Sequence, residues 1–377
     1  MPVTERTTPP FRADHVGSLL RPATLRAARE ARAAGRIDAA ELAAVEDQAV
    51  LDAIAMQEEV GLKSASDGEF RRTTWHMDFI YQLGGIHQTS GKIPISFRNA
   101  TEAIDFETAA IAVTEPVHLP QPIFADAFTF LREHVAAGVT PKLTIPSPSM
   151  VHYRGGTAAI DRSVYPEIEG FWADLVGAYR AEVAALGELG CHYLQFDDTS
   201  LAYLNDPAQR EFMAAQGGDP LHQHETYIGH LNEVIADRPA GMAVTTHLCR
   251  GNFRSSWAAE GGYDFVAEVL FSELAVDGFF LEYDDERSGG FEPLRFVPPG
   301  KTVVLGLVTT KSGALEEPAA VRARVLEAAK YVPLEQLCLS PQCGFSSTIE
   351  GNVLSYEEEV AKLQLIVGVA HDLWGEA

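Results

Sequence analysis

The sequence predicts an α/β fold: a single (β/α)8 TIM barrel over residues 1–377, with a β-hairpin insertion at 84–122 after the second strand. Three observations predict it. Eight short runs of β-branched and apolar residues alternate with longer stretches of helical period. Polar and ionisable residues collect at one end of those runs, where barrel enzymes build their sites. No G-x-G-x-x-G follows any run, which disfavours the open doubly wound sheet.

The elements follow in order. The first run, 12–17, ends in Val16-Gly17-Ser18, and a helical stretch, 40–60, leads to the second run, 63–67, ending in Asp67-Gly68-Glu69. Residues 84–122 alternate apolar and polar side chains among turn residues, the pattern of a hairpin. The third run, 142–147, ends in Ser147-Pro148-Ser149. Helical period over 165–189 precedes 193–197, which ends in Asp197-Asp198. The pattern repeats with 221–236 before 242–248, 263–275 before 278–283, and 302–307 before 318–331. The eighth run, 336–340, leads to Cys343, and a helix over 356–373 closes the chain.

Composition narrows the function classes. A formal net charge of −24 argues against nucleic acid and anionic membrane as partners. No run of 18 apolar residues exists, and the opening Met1-Pro2-Val3-Thr4-Glu5-Arg6 lacks the apolar core of a secretory leader. Four cysteines in 377 residues do not make a disulfide framework. The expected compartment is the reducing cytoplasm, with a homodimer among the candidate assemblies.

His247-Leu248-Cys249 is the most informative motif. On a strand, residues two apart share a face, so His247 and Cys249 point together. With Cys343 they make a set of three zinc ligands, and an open fourth position marks a catalytic site. The alternative is that both cysteines are small buried hydrophobes. Cys191 and Cys338 have that core pattern. Glu282 follows an apolar run and is either a fourth, displaceable ligand or the partner of an arginine such as Arg287.

Glu69 and Asp197 sit at different strand ends. They suit a general acid/base pair, or the three donors of a substrate ammonium, or ion pairs with Arg71 or Arg72. Asp197 and Asp198 are neighbours, so at most one faces the site and the other caps a turn. Gly17 and Ser18 could present backbone N–H groups to a carboxylate.

Together His247-x-Cys249, Glu282, Pro341-Gln342-Cys343-Gly344, Val16-Gly17-Ser18, Asp67-Gly68-Glu69 and Gln195-Phe196-Asp197-Asp198 resemble cobalamin-independent methionine synthase. The opening phrase Phe11 to Pro22 and Asp67 to Arg72 look like its short, barrel-only bacterial branch, within a superfamily shared with uroporphyrinogen decarboxylase. The resemblance implies zinc bound by His247, Cys249, Glu282 and Cys343. It implies homocysteine held through its carboxylate by Val16, Gly17 and Ser18, and through its ammonium by Glu69 and Asp197. The methyl group would come from methyltetrahydrofolate or a related donor, and the metal would ionise the thiol, which has an ordinary pKa near ~8.5.

Two positions depart from that pattern. The family's histidine after the seventh strand is replaced near Val308, which leaves His15 and His76 as candidate proton donors. The tryptophan that stacks on folate is missing from the loop Ser147 to Arg154, where Ser147, His152 and Tyr153 are candidates for donor binding. A zinc thiol-alkyltransferase such as epoxyalkane:coenzyme M transferase is the competing reading. Its sulfonate thiol would be repelled by acids at 69 and 197. A metal-free decarboxylase barrel has no use for two site thiolates, and a storage protein has little use for a removable ligand.

Overall fold

The computed structural model describes residues 6–99 and 103–377. Residues 1–5, read above for a leader, and 100–102, inside the expected insertion, lie outside the described residues. The strands are β1 (Ser64–Ala65), β2 (Gly84–Arg98), β3 (Ala103–His118), β4 (Thr140–Pro141), β5 (Leu143–Pro146), β6 (Tyr193–Asp198), β7 (Ala243–Leu248), β8 (Gly278–Glu282), β9 (Thr302–Val308) and β10 (Leu337–Pro341).

β5 to β10 form one parallel six-stranded sheet in sequence order. Its strands are buried almost throughout, as a parallel sheet covered by helices requires. The eight-stranded ladder expected from the sequence is not continuous. β1 pairs only with β4, Ser64 opposite Thr140 and Ala65 opposite Pro141. Segment 12–17 meets β10 through a single parallel bridge, Ala13 to Leu339. The cause is local. The Asp14 carboxylate accepts the N–H of Phe11 at 3.1 Å and of His15 at 2.8 Å, turning those donors away from a neighbouring strand. Pro141 and Pro146 likewise bring no N–H to β4 and β5.

Helices fill the intervals. Asp38 starts the helix Ala39–Glu59 through a capping box with Glu41, and Ser355 starts Tyr356–Trp374 through the same device with Glu358. The helix expected at 263–275 contracts to Ala267–Glu273. No helix among the described residues is long and apolar enough to cross a membrane.

Beneath the strand ends, Lys142 and Asp14 form a fully buried ion pair at 3.2 Å. Its ammonium also lies 4.6 Å from the Tyr193 ring centroid and 4.1 Å from that of Phe280. Tyr193 and Ser64 donate to Asp14, and Lys142 donates to the His15 carbonyl. A buried charge pair survives only with such a full set of partners. This network ties segment 12–17 to β1, β5 and β6.

The stretch 84–122 contains the antiparallel pair β2 and β3, with Ile95 opposite Phe106 and Phe97 opposite Ile104. Arg98 and Trp257 exchange backbone N–H···O bonds of 2.8 and 2.9 Å, which staple the hairpin to the loop after β7. Phe253 of that loop packs on Phe106, with ring centroids 4.7 Å apart, and on Phe97 at 5.4 Å. The apolar face of the hairpin therefore closes over the C-terminal ends of the strands.

Candidate metal centre and adjoining cavity

His247 is the penultimate residue of β7, and Cys249 follows its end. Glu282 ends β8, and Cys343 lies two residues beyond β10. The parallel register places these strand ends side by side. Ligand atoms of His247, Cys249, Glu282 and Cys343 all lie within 4.8 Å of one another, and all four residues are buried. The two sulfurs are 3.4 Å apart, beyond the roughly 2.05 Å of a disulfide bond, and both cysteines are free.

Neither ring nitrogen of His247 has a hydrogen-bond partner, and neither does Oε2 of Glu282. Buried polar atoms are rarely left so. Glu282 is oriented from its other side: Arg250 N–H donates to Oε1 at 3.2 Å, and Tyr263 OH meets its backbone N–H at 2.8 Å. Arg287 approaches Oε2 only to 3.8 Å. The sulfur contact with Cys249 holds the Cys343 thiol well below its ordinary range against the effect of burial, with His247 and Lys311 acting in the same sense. This group can hold a metal ion.

His247, Cys249 and Cys343 border a cavity that Val16, Ser18, Glu69, His76 and Asp197 also line. Glu69 adopts φ 60°, a left-handed conformation that turns its side chain inward from the tight turn after β1. Its Oε1 accepts from Thr144 at 2.8 Å and lies 3.6 Å from Arg72, so the expected pairing with Arg72 exists. Its Oε2 is buried without a partner. Arg71 pairs instead with Asp47 at 2.7 Å. Burial pushes the Glu69 carboxyl up, and it pushes Asp197 up to about 7. Gln195 holds Asp197 at 2.7 Å. Asp198 turns away and accepts from Ser149, Ser200 and Leu201 N–H, which is the capping role expected for one of the pair.

Gly17 sits at φ 135°, and a Cβ there would come 2.6 Å from Thr144 Cγ2. Only glycine fits this close crossing. The carbonyl of Val16 accepts from Gln195 and that of Gly17 from Ser66. Among the described residues, the N–H groups of Val16, Gly17 and Ser18 donate no hydrogen bond.

The remaining expected residues divide. His76 lines the cavity, stacked on Trp75 with centroids 4.4 Å apart. Burial, then the charge of Arg154, holds its pKa down to about 3. His15 does not line it; burial, then Lys142, holds His15 at about 4, and both its ring nitrogens lack partners. Ser147, His152 and Tyr153 do not line it either. The loop winds into a short helix, Ser149–Tyr153, that buries these rings in the packed interior beside the cavity and not in its wall. His152 Nδ1 contacts Tyr227 OH at 2.9 Å and its ring packs on Trp172, while Tyr153 OH donates to Gln209 at 3.0 Å. The sequence reading missed Arg154, Phe97, Phe106 and Phe253, which do line the cavity. The alternation Ile95, Phe97 and Ile104, Phe106 was the available signal, since period two marks one face of a hairpin.

The family model described as the cobalamin-independent synthase catalytic domain matches residues 11–372. An uncharacterized Bacillus subtilis protein, YxjH, is 45% identical over 97% of this chain and 95% of its own length. The 5-methyltetrahydropteroyltriglutamate–homocysteine methyltransferase of Lactiplantibacillus plantarum is 24% identical over 90% of this chain, which spans 40% of that enzyme. Among solved structures, a Listeria monocytogenes chain provisionally assigned as a vitamin-B12-independent methionine synthase is 39% identical. It has a TM-score of 0.79 and coverage of 98% and 99%. The chain therefore belongs to the family of cobalamin-independent synthase catalytic domains, a family of methyltransferases.

Proposed function

We propose that this chain transfers a methyl group to the thiol of homocysteine, using zinc held by His247, Cys249, Glu282 and Cys343. The observation that carries this reading is one cavity bordered both by metal-ligand side chains and by two buried acids, Glu69 and Asp197. One imidazole, two thiolates and a carboxylate are ordinary zinc donors at about 2.0–2.3 Å. A tetrahedron of that size separates its corners by roughly 3.3–3.8 Å. Two sulfurs on one tetrahedral zinc lie about 3.8 Å apart, close to the 3.4 Å found here, and the unpartnered atoms of His247 and Glu282 are available beside them. Bound there, zinc would keep an arriving thiol ionised at neutral pH.

The chain's own residues do the rest of the binding. The open N–H groups of Val16, Gly17 and Ser18 suit the amino-acid carboxylate. Oε2 of Glu69 and the carboxylate of Asp197 suit its ammonium, and a cation beside them offsets the cost of their burial. The hairpin face carrying Phe97 and Phe106 keeps water from the reacting sulfur. Of the two histidines, His76 is the one that borders the cavity. It is therefore the candidate to hand a proton to the departing nitrogen as the methyl group leaves it.

The donor we assign is methyltetrahydrofolate or a close relative. The competing reading, alkylation of a sulfonate thiol such as coenzyme M, is opposed by the charge of Glu69 and Asp197. We further read segment 12–17 and β1 as the strands completing a (β/α)8 catalytic barrel over 1–377, with 84–122 as its insertion. Four free thiols suit the reducing cytoplasm.

The test is product analysis by mass spectrometry on zinc-loaded protein. Homocysteine is supplied with methyltetrahydrofolate bearing one or three glutamates, with methylcobalamin, or with simple epoxides, and coenzyme M is supplied with the same epoxides. Methionine formed from a methyl donor supports the reading. Turnover only of coenzyme M with an epoxide replaces it.

A further inference from the structure

Arg21 does not line the cavity beside the metal ligands, yet three segments that build that cavity meet on its guanidinium. Nη1 donates to the Ser346 carbonyl at 2.7 Å, the Ser346 hydroxyl at 2.8 Å and the Thr348 carbonyl at 3.1 Å. Nη2 donates to the carbonyls of Glu69 and Arg72, each at 3.1 Å. One buried side chain thus joins segment 16–18, the turn that carries Glu69 and the loop that follows Cys343. Those segments carry the anchors for an amino-acid thiol: open N–H groups, an acid and a metal ligand.

The three segments pack at close range. Leu19 N–H donates to the Gly68 carbonyl at 3.1 Å, and Phe345 N–H to the Ser18 carbonyl at 2.9 Å. A Cβ at Gly344 would come 1.9 Å from Ser18 Oγ. Arg21 stands where they converge, and no carboxylate is among its hydrogen-bond acceptors. Burial lowers its pKa to about 10, which leaves it charged at neutral pH. Four carbonyl oxygens turned toward one point repel one another unless a cation lies between them. The planar guanidinium fork fixes the direction of each donor, which a single ammonium does not.

We propose that Arg21 is a positioning residue that sets the span between Glu69 and Cys343 and thereby selects homocysteine over cysteine. A thiol held at one end by its ammonium and carboxylate must place its sulfur on the metal at the other end. Cysteine is one methylene shorter and does not reach both ends of a rigid span. A span that loosens closes on the shorter thiol as well. This proposal rests on the reading of the cavity as a homocysteine methyltransferase site.

Arg21 also lines a second cavity of about 570 Å³, with Met56, Phe70, Ile349, Leu354 and the exposed Tyr356, none of which borders the first. A small solute can therefore reach the space that a truncated Arg21 would vacate.

The test is titration calorimetry on zinc-loaded protein, well below each Tm, with homocysteine and cysteine titrated into wild type, Arg21→Lys and Arg21→Ala. Wild type should prefer homocysteine by roughly tenfold or more, the worth of one methylene. Both variants should keep their zinc, bind homocysteine roughly tenfold more weakly and lose most of that preference. Ethylguanidinium should restore affinity and preference to Arg21→Ala, and ethylammonium should not. Arg21→Lys carries the test by itself if Arg21→Ala does not fold. An unchanged ratio of homocysteine to cysteine affinity in Arg21→Lys overturns the proposal, whatever the fall in Tm, because a merely structural role would leave the ratio alone. Wild-type protein that binds the two thiols equally overturns it too. A failure of the underlying reading registers separately, as wild-type protein that binds neither thiol.

Discussion

The sulfurs of Cys249 and Cys343 lie 3.4 Å apart although 94 positions separate them in the chain. Two buried thiols at the ends of β7 and β10 that approach within hydrogen-bond distance without a disulfide are placed as two ligands of one metal would be. Cys343→Ser should reduce zinc content to below about a tenth of wild type and abolish methionine formation. Cys191→Ala, in the core away from the cluster, should retain its metal. Elemental analysis checks both, and full zinc in Cys343→Ser would reject the ligand set.

Homocysteine should add a sulfur to the metal. The zinc–sulfur count read by X-ray absorption should rise from two to three when homocysteine is added. An unchanged count would mean that the thiol reacts from elsewhere in the cavity.

Glu69 should act on substrate binding more than on the reactivity of sulfur. Glu69→Gln removes the charge proposed to meet the ammonium while keeping the bond from Thr144 to Oε1. A hydrogen bond to a charged group is worth about 1.5–3 kcal/mol. The KM for homocysteine should therefore rise roughly tenfold or more, with a smaller change in kcat. Equal KM values would remove Glu69 from the binding site.

The crossing at Gly17 should tolerate no side chain. Gly17→Ala combines φ 135° with a contact of 2.6 Å to Thr144. Backbone strain of this kind costs about 1–3 kcal/mol. Relief by moving the loop would withdraw the Val16, Gly17 and Ser18 N–H groups. Calorimetry should show weakened homocysteine binding together with a lowered Tm.

Stability should fall with rising pH through Glu359. This residue is buried on the last helix and accepts the Leu20 N–H at 3.0 Å; burial pushes its pKa up to about 8. The folded state holds a proton that the unfolded chain, with an ordinary carboxyl near ~4.3, has released. The group's contribution is fully present below that ordinary value and is lost as pH rises toward 8. Glu359→Gln should melt close to wild type at acidic pH and above it at alkaline pH. A Tm difference that does not change with pH would place the charge elsewhere.

Much of the architecture was legible from local pattern. The six runs that became β5 to β10 are short and largely apolar, with their charged residues gathered at one end, and such runs between helical stretches read as buried parallel strands. Capping boxes at Asp38 and Ser355 mark helix starts within four residues of chain. His247 and Cys249 are two apart where one strand ends, so their common direction follows from the extended backbone. The ends of the barrel were less legible. Segment 12–17 has strand composition, yet Asp14 accepts the N–H groups of Phe11 and His15 while Lys142, Tyr193 and Ser64 surround its carboxylate.

The sequence by itself determined the alternation of strands and helices and the kinds of side chain at each strand end, because both depend on periodicities a few residues long. Only tertiary structure decided which of those side chains share one space. It brought Cys343 to Cys249 and left Glu69 Oε2 bare. It packed His152 and Tyr153 into the interior and lowered the hairpin's phenylalanines onto the site. Those outcomes depend on the register of distant strands and on the winding of one short loop, and no local pattern encodes the distance between residues far apart along the chain.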